Sequence, residues 1–386
     1  MKVLMIGWEL PPFNSGGLGV ASFFLAKELS KKINLTFVLP YDLPLNNLPF
    51  KVIFASNKIS KITGYYSRFH LSVNREILEL ILSYGQRILE VYKEKPDIVH
   101  GHDWFSGPAV IFLSNYFKVP SLIHVHSTEI ERTGNNPNPI IYQIEKEYFS
   151  QADFLLPVSD LTKEVLINVY KIPKEKLFVL PNGFDWSQKE CLVPNYLNYL
   201  KANDYKIVLF VGRLVLQKGP DYLLRTLPYV KKFFPRIKYV FVGSGDMFSE
   251  LVKLTYELNS WENVLFTNFL REKELWGVYS LADILVVPSV ADPFGLVPLE
   301  GINFYLPVIT SYQTGVGNYL SLMMKFNFWD VKEMANKIVG ILRYNKMKEE
   351  YRKAIHLEAK NKFDWQKTAN QLLNFYQSVI KSKCLQ

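Results

Sequence analysis

The sequence predicts an α/β protein made of two doubly wound halves, each a parallel sheet with helices on both faces. Three observations carry this. Short apolar runs recur along the chain with helical segments between them, the pattern of β-α alternation. The alternation stops at a polar, proline-punctuated stretch around 185–204 and then restarts. The length, 386 residues, exceeds one ordinary hydrophobic core and suits two units.

In the first half the strand-like segments are Val3–Ile6, Leu35–Leu39, Ile98–His100 and Ser121–Val125, with a helix over Val20–Lys31 after the first. In the second half they are Lys206–Gly212, Lys238–Gly243, Val264–Thr267, Ile284–Pro288 and Val308–Ile309. A helix around Lys332–Arg343 and a charged helix, Lys346–Lys360, follow. The last helix, Trp365–Ile380, carries Trp365, Leu372, Leu373, Tyr376 and Val379 at helical spacing. These anchors dock either on the second half or, by crossing back, on the first. The expected domains are 1–187, joined by 367–386, and 188–366, with a cleft between two lobes.

Hydrophobic residues make up 48% and charged residues 21%, enough for each half to bury a core without disulfide or metal staples. Apolar runs such as Ile207–Val211 and Ile284–Val287 are far shorter than the roughly 20 residues of a membrane helix. Met1 leads straight into a strand-like segment without a signal-like stretch, so a cytoplasmic location is expected. Cys191 and Cys384 lie in polar or terminal surroundings and read as free thiols. The formal charge of +9 is spread along the chain, so no nucleic-acid site is expected. Peripheral contact with an anionic membrane stays open, through Lys58, Lys61, Arg68 and Arg75. Nothing specifies an oligomeric state.

Six stretches carry chemistry. After the first strand, Gly16-Gly17 opens a helix, where backbone amides and the helix dipole favour an anion. It is neither a Walker loop nor a G-x-G-x-x-G fingerprint. Two histidine clusters end strands: His100-Gly101-His102-Asp103-Trp104, and His124-Val125-His126 followed by Glu129, Glu131 and Arg132. They suggest a polar acceptor pocket. The alternating pair His124 and His126 lacks further His or Cys to close a zinc site, so no metal is expected. His70 and His356 read as surface residues. In the second half, Arg213 and Lys218 follow a buried strand on one mouth of the sheet, where a guanidinium fork and a point charge can stabilise a diphosphate. Gly243-Ser244-Gly245-Asp246 ends the next strand, where backbone can approach a base or sugar. Finally, in Pro288–Gly301 a glycine turn lies between Asp292 and Glu300. Glu300 in a first helical turn can accept both hydroxyls of a ribose, and Asp292 can accept those of a hexose. Simple complementation of the helix dipole also accounts for Glu300.

In order, GWELPPFNSGGLGV, HGHDW, HVHSTEIERTG, PVSDLTKEVL, PNGFD, VGRLVLQKGPDYLL, VGSGDM, ADPFGLVPLEG, TGVGNYL and FWDVKEMANKI span nearly the whole length. In this order and spacing the chain resembles the retaining glycosyltransferases of family 4, in the group related to bacterial and archaeal glycogen synthases. The resemblance implies a GT-B fold of two Rossmann-like lobes. It also implies metal-independent transfer of a hexose, glucose first, from a nucleotide diphosphate sugar to a glycan, with ADP-glucose or UDP-glucose as co-substrate and no other cofactor. By position, Arg213 and Lys218 then hold the diphosphate, Glu300 the ribose, and Gly17 lies beside the phosphates. The amides of Phe294, Gly295 and Leu296 line the sugar, His126 stands near it, and His102 matches the histidine of the HxHDW box.

Two departures stand out. The family usually has Glu-x7-Glu, and here the first acid is Asp292, one methylene shorter. Neighbouring starch and glycogen synthases carry Lys-x-Gly-Gly-Leu near the start, where this chain has Asn14-Ser15-Gly16-Gly17-Leu18. Two other readings remain at this stage: transfer to a lipid-linked or cell-surface glycan, and a non-catalytic glycan-binding protein on a degenerate scaffold.

Overall fold

The computed structural model describes residues 1–383 except 15, 46, 56–74, 135, 188 and 271. Ser15, Lys58, Lys61, Arg68, His70 and Cys384 therefore lie outside the described residues. The chain forms two compact units, Met1–Gly183 with Phe363–Gln386, and Phe184–Lys362.

Unit 1 runs β1 (Lys2–Ile6), α1 (Gly17–Ser30), β2 (Asn34–Leu39), β3 (Lys51–Phe54), α2 (Arg75–Val91), β4 (Ile98–His102), α3 (Asp103–Phe117), β5 (Ser121–Val125), α4 (Glu129–Thr133), α5 (Pro139–Gln151), β6 (Phe154–Pro157) and α6 (Asp160–Asn168). Its six parallel strands are ordered β3-β2-β1-β4-β5-β6. Every residue of β4 and β5 is buried, as expected of strands covered on both faces. Side chains alternate between two cores: Leu4, Ile6, Val99 and Ile123 on one face, Met5, Phe37, Ile98 and Leu122 on the other. Local signals start the helices. Thr128 and Glu131 form a capping box for α4, and the Asn138 side chain caps α5 ahead of Pro139.

Unit 2 runs α7 (Asn195–Ala202), β7 (Lys206–Val211), α8 (Pro220–Lys231), β8 (Ile237–Val242), α9 (Phe248–Glu257), β9 (Val264–Asn268), α10 (Glu272–Leu281), β10 (Ile284–Val287), α11 (Val297–Asn303), β11 (Val308–Ser311), α12 (Gly315–Tyr319), β12 (Met324–Phe326), α13 (Val331–Arg343) and α14 (Asn345–Lys362). Its order, β12-β11-β10-β7-β8-β9, has the same topology as the first sheet. Both units are therefore Rossmann-like, with the order reversing beside each unit's first strand. Asp283 sits before β10 and accepts from the Ile207 amide and Lys201, both at 2.8 Å, so its role is to anchor the amino ends of the strands.

The last helix, α15 (Trp365–Lys383), packs on α1 within unit 1. The Trp365 and Phe24 rings stack at 5.9 Å and 9°, Thr368 Oγ1 donates to the Pro181 carbonyl at 3.1 Å, and the Tyr376 hydroxyl meets His100 Nδ1. A Cβ on Gly183 would lie 2.6 Å from the Trp365 nitrogen, so the chain passes there only without a side chain. His356, read from sequence as a surface residue, is instead half-buried. Its ring stacks on Tyr305 at 4.0 Å and its Nδ1 lies 2.9 Å from the Ile302 carbonyl. Cys191 is an exposed free thiol.

Truncation of the Trp365 anchor, Trp365→Ala, is expected to cost unit 1 about 3–5 kcal/mol, read as a lower urea midpoint. Trp329→Ala, at a position 57% exposed in unit 2, leaves that midpoint unchanged.

Candidate functional site

In unit 2 the strand order reverses between β7 and β10, and the loops leaving their carboxyl ends meet there. They are locked together by backbone. The Gln217 carbonyl accepts from the amides of Val290 at 2.9 Å and Ala291 at 3.3 Å. Gly219 turns the chain into α8 at φ +62, and a Cβ there would fall 2.3 Å from the Pro288 carbonyl oxygen. Only glycine satisfies both demands.

This lock sets two charges face to face. Lys218 Nζ lies 2.7 Å from Asp292 Oδ2, with side chains 23% and 9% exposed. Asp292 is held by its own backbone: its amide donates to the Gln313 carbonyl at 3.0 Å and its carbonyl accepts from Gly315 at 2.9 Å. Arg213 is exposed and directs one guanidinium nitrogen to Gln217 Oε1 at 3.2 Å. Beyond Asp292, Phe294 is buried, Gly295 takes φ +83 and Leu296 leads into α11. Glu300 falls in the first turn of α11, where the helix dipole favours an acid. Burial raises its pKa, opposed by the hydrogen bond from Tyr279, whose hydroxyl donates to Oε2 at 2.7 Å, and by Lys189. Tyr279 is fully buried and stacks on Phe304 at 5.6 Å.

Gly245 has a packing reason of its own. A Cβ there would lie 2.3 Å from the Leu214 carbonyl, and the Leu214 amide donates to Ser244 at 3.0 Å. The loop after β8 thus braces the loop carrying Arg213.

In unit 1, His102 ends β4 and His126 follows β5, and His102 Nδ1 lies 3.0 Å from His126 Nε2. Asp103 begins α3 at φ +54, a backbone region an L-residue enters only when held. It is held because its carboxylate accepts from the His126 amide at 2.6 Å, which fixes the end of β5. Burial pushes the Asp103 pKa up to about 7, against the pull of Arg132, and burial lowers that of His126.

Glu129 and Arg132, expected from sequence at an acceptor pocket, face inward. Arg132 donates to the Ser127 carbonyl at 2.7 Å, to Glu145 Oε1 at 2.5 Å and to Glu129 Oε2 at 3.2 Å. Glu129 also accepts from the Asn138 amide at 3.0 Å. Burial pushes Glu145 to about 7, with Arg132 opposing, and the Tyr170 hydroxyl also bonds to it. These groups are consumed in ordering the turn after β5. Glu145 lies on α5 and Tyr170 just after α6, far from the turn in sequence.

Gly16 and Gly17 open α1 as expected and both are exposed. The third amide of the helix, that of Gly19, is taken by the buried Glu9 Oε1 at 2.9 Å. Glu9 thus places a carboxylate beside the anion-binding turn expected from sequence.

Parallel register adds a grouping not anticipated from the spacing of His124 and His126. His102 pairs with His124 across strands, and with His100 they form a buried trio on one face of the sheet. The trio offers ring nitrogens that lie within 4.8 Å of one another, a set capable of holding a metal ion. Burial lowers the pKa of each, that of His124 to about 4.

Comparison with known proteins falls on the same division. The family described as Glycosyltransferase Family 4 matches residues 15–188, and that described as Glycosyl transferases group 1 matches residues 198–355. An uncharacterised glycosyltransferase of Methanocaldococcus jannaschii is 31% identical over 335 residues, 82% of each chain. A glycogen synthase of Mycobacterium tuberculosis is 23% identical over 397 residues, covering 97% of this chain and 94% of its own. Among solved structures, the Anabaena protein HepE in complex with UDP and glucose aligns with TM-score 0.75 at 17% identity, over 98% of this chain and 100% of its own.

Removing the Tyr279 hydroxyl, Tyr279→Phe, leaves a half-buried carboxylate short of its donor. It is expected to lower the stability of unit 2 by about 1–3 kcal/mol, measured as a lower urea midpoint.

Proposed function

The chain belongs to the glycosyltransferases, and we propose that it is a retaining hexosyltransferase that moves glucose from a nucleotide diphosphate sugar to a hydroxyl of a glycan. The fold is GT-B, two Rossmann-like units. The observation that carries the proposal is the Lys218–Asp292 pair where the strand order of unit 2 reverses. A half-buried lysine is paired there with an acid that it can exchange for a better anion. The diphosphate takes over Lys218 and recruits the exposed fork of Arg213. Asp292 is then released to accept hexose hydroxyls while the amides of Phe294, Gly295 and Leu296 line the sugar. Glu300, steadied by Tyr279, accepts the ribose hydroxyls.

In the transfer, the bond from the anomeric carbon to the phosphate oxygen breaks. The acceptor oxygen bonds to that carbon from the same face, and its proton passes to a departing phosphate oxygen. The chemistry asks for positive charge at the leaving group more than for a carboxylate base, and Lys218 and Arg213 supply it. A divalent ion at the diphosphate is then unnecessary. In unit 1, His126 after β5 is the histidine proposed to approach a sugar, and the exposed Gly16-Gly17 turn offers backbone amides to an anion. Glucose as the moved sugar is supported by the name of the glycogen synthase relative and by the glucose bound with UDP in HepE.

Lys218→Ala is expected to reduce kcat/KM by about 10²–10³-fold with an unchanged circular dichroism spectrum; full activity in that variant would contradict the assignment. Rates should be the same with magnesium and manganese omitted. In a thermal-shift panel of ADP-glucose, UDP-glucose, GDP-mannose and UDP-N-acetylglucosamine, one glucose nucleotide should stabilise the protein by about 2.7 kcal/mol at 100 times its Kd. A panel without any shift favours a glycan-binding scaffold instead.

A further inference from the structure

We infer that His100, His102 and His124 form a zinc site beneath the C-terminal helix of unit 1, separate from the donor-binding chemistry assigned to unit 2. The three side chains lie on one sheet face because His100 and His102 are two apart on β4, and parallel register sets His124 on β5 beside His102. All three are fully buried. Their ring centroids are 5.0 Å apart for His100 and His102, 5.6 Å for His102 and His124, and 5.9 Å for His100 and His124.

The hydrogen bonding is that of a ligand set. His100 Nδ1 meets the Tyr376 hydroxyl and His102 Nδ1 meets His126 Nε2 at 3.0 Å, so one nitrogen of each ring is oriented by a neighbour. Outer partners of this kind fix the tautomer of metal-bound imidazoles. The remaining nitrogens, Nε2 of His100 and Nε2 of His102, have no hydrogen-bond partner, and neither ring nitrogen of His124 has one. The Leu180 backbone lies close enough to one His124 nitrogen to act as a weak, poorly aligned hydrogen-bond partner, which leaves the other nitrogen for an ion.

Leaving several ring nitrogens buried and unpaired is costly, and an ion that accepts one lone pair from each ring removes most of that cost. Three neutral imidazoles suit a late first-row ion, and a tetrahedral zinc with nitrogens at about 2.0–2.1 Å needs them roughly 3.4 Å apart. One nitrogen from each ring lies within 4.8 Å of the other two, so binding an ion requires the rings to rotate toward it. A fourth position is left for water. Tyr376 belongs to α15, so zinc here would couple the helix that completes unit 1 to the strands beneath it.

The test uses the full chain in a Cys191→Ser, Cys384→Ser background, which removes both thiols as zinc ligands. After equilibrium dialysis against zinc and desalting, the protein should retain about one zinc per chain and show a raised Tm. His100→Phe and His124→Leu should each lose that zinc and the Tm rise. Failure of the parent protein to retain zinc, or undiminished zinc in either variant, overturns the inference and leaves the trio as hydrated or dry neutral imidazoles. Cobalt in the parent protein gives a second reading should a variant not fold. Intense visible bands of a tetrahedral ion support the site, and the weak spectrum of octahedral cobalt overturns it. Neither result bears on Lys218 or on donor binding.

Discussion

Parallel strand pairing is the constraint from which the rest follows. Because successive strands run the same way, each connection must cross the sheet through a helix, and every strand of a unit ends on the same rim. With the order reversing beside β1 in one unit and beside β7 in the other, neighbouring loops at that rim lead to opposite faces and leave room for a ligand. At the rim of unit 2 the sequence places glycines and the Lys218–Asp292 pair, and it fills most strand positions with Val, Ile, Leu and Phe. The same constraint that buries β4 and β5 at every residue also stacks His100, His102 and His124 where solvent cannot reach them.

In unit 2 the rim is shaped by close backbone contacts. Gly219 against Pro288, Gly245 against Leu214 and Gly315 against the Pro293 carbonyl, at a Cβ distance of 2.0 Å, bring the loops closer than side chains would permit. Lys218 and Asp292 therefore meet through fixed backbone and short reach. An isolated surface pair contributes little. This pair is mostly buried, so its worth lies in keeping both charges compensated. The shorter acid noted in the sequence acquires a reason from this geometry. Asp292, held by backbone bonds on both sides, reaches Lys218 at 2.7 Å.

Much of this was legible from residues alone. The two doubly wound halves, the strands bearing the motifs, and the loops with Arg213, Lys218, Asp292 and Glu300 follow from apolar runs that end in glycine and charge. The short strands β3, β6 and β12 were not separated from loops, and length alone is not the reason, since β10 and β11 have four residues each and were recognised. Helices α2, α3 and α5 escaped because the reading followed motifs. Glu129 and Arg132 looked like pocket residues, since a charge at a strand end usually faces water. Their buried partner Glu145 lies 13 to 16 residues further along the chain and is itself bonded by Tyr170, and spacing cannot reveal such a network. Glu9 likewise gave no signal, because its bond to the Gly19 amide depends on how the turn after β1 closes. The histidine trio required register, which no single strand encodes.

The most direct measurement is hydrogen-deuterium exchange on the intact protein with and without UDP, the nucleotide found with HepE. Exchange should slow over the peptides spanning 212–219 and 292–301 of unit 2, where Lys218, Asp292 and Glu300 sit. Protection absent from both peptides at saturating nucleotide, or confined to other parts of unit 2, would contradict it.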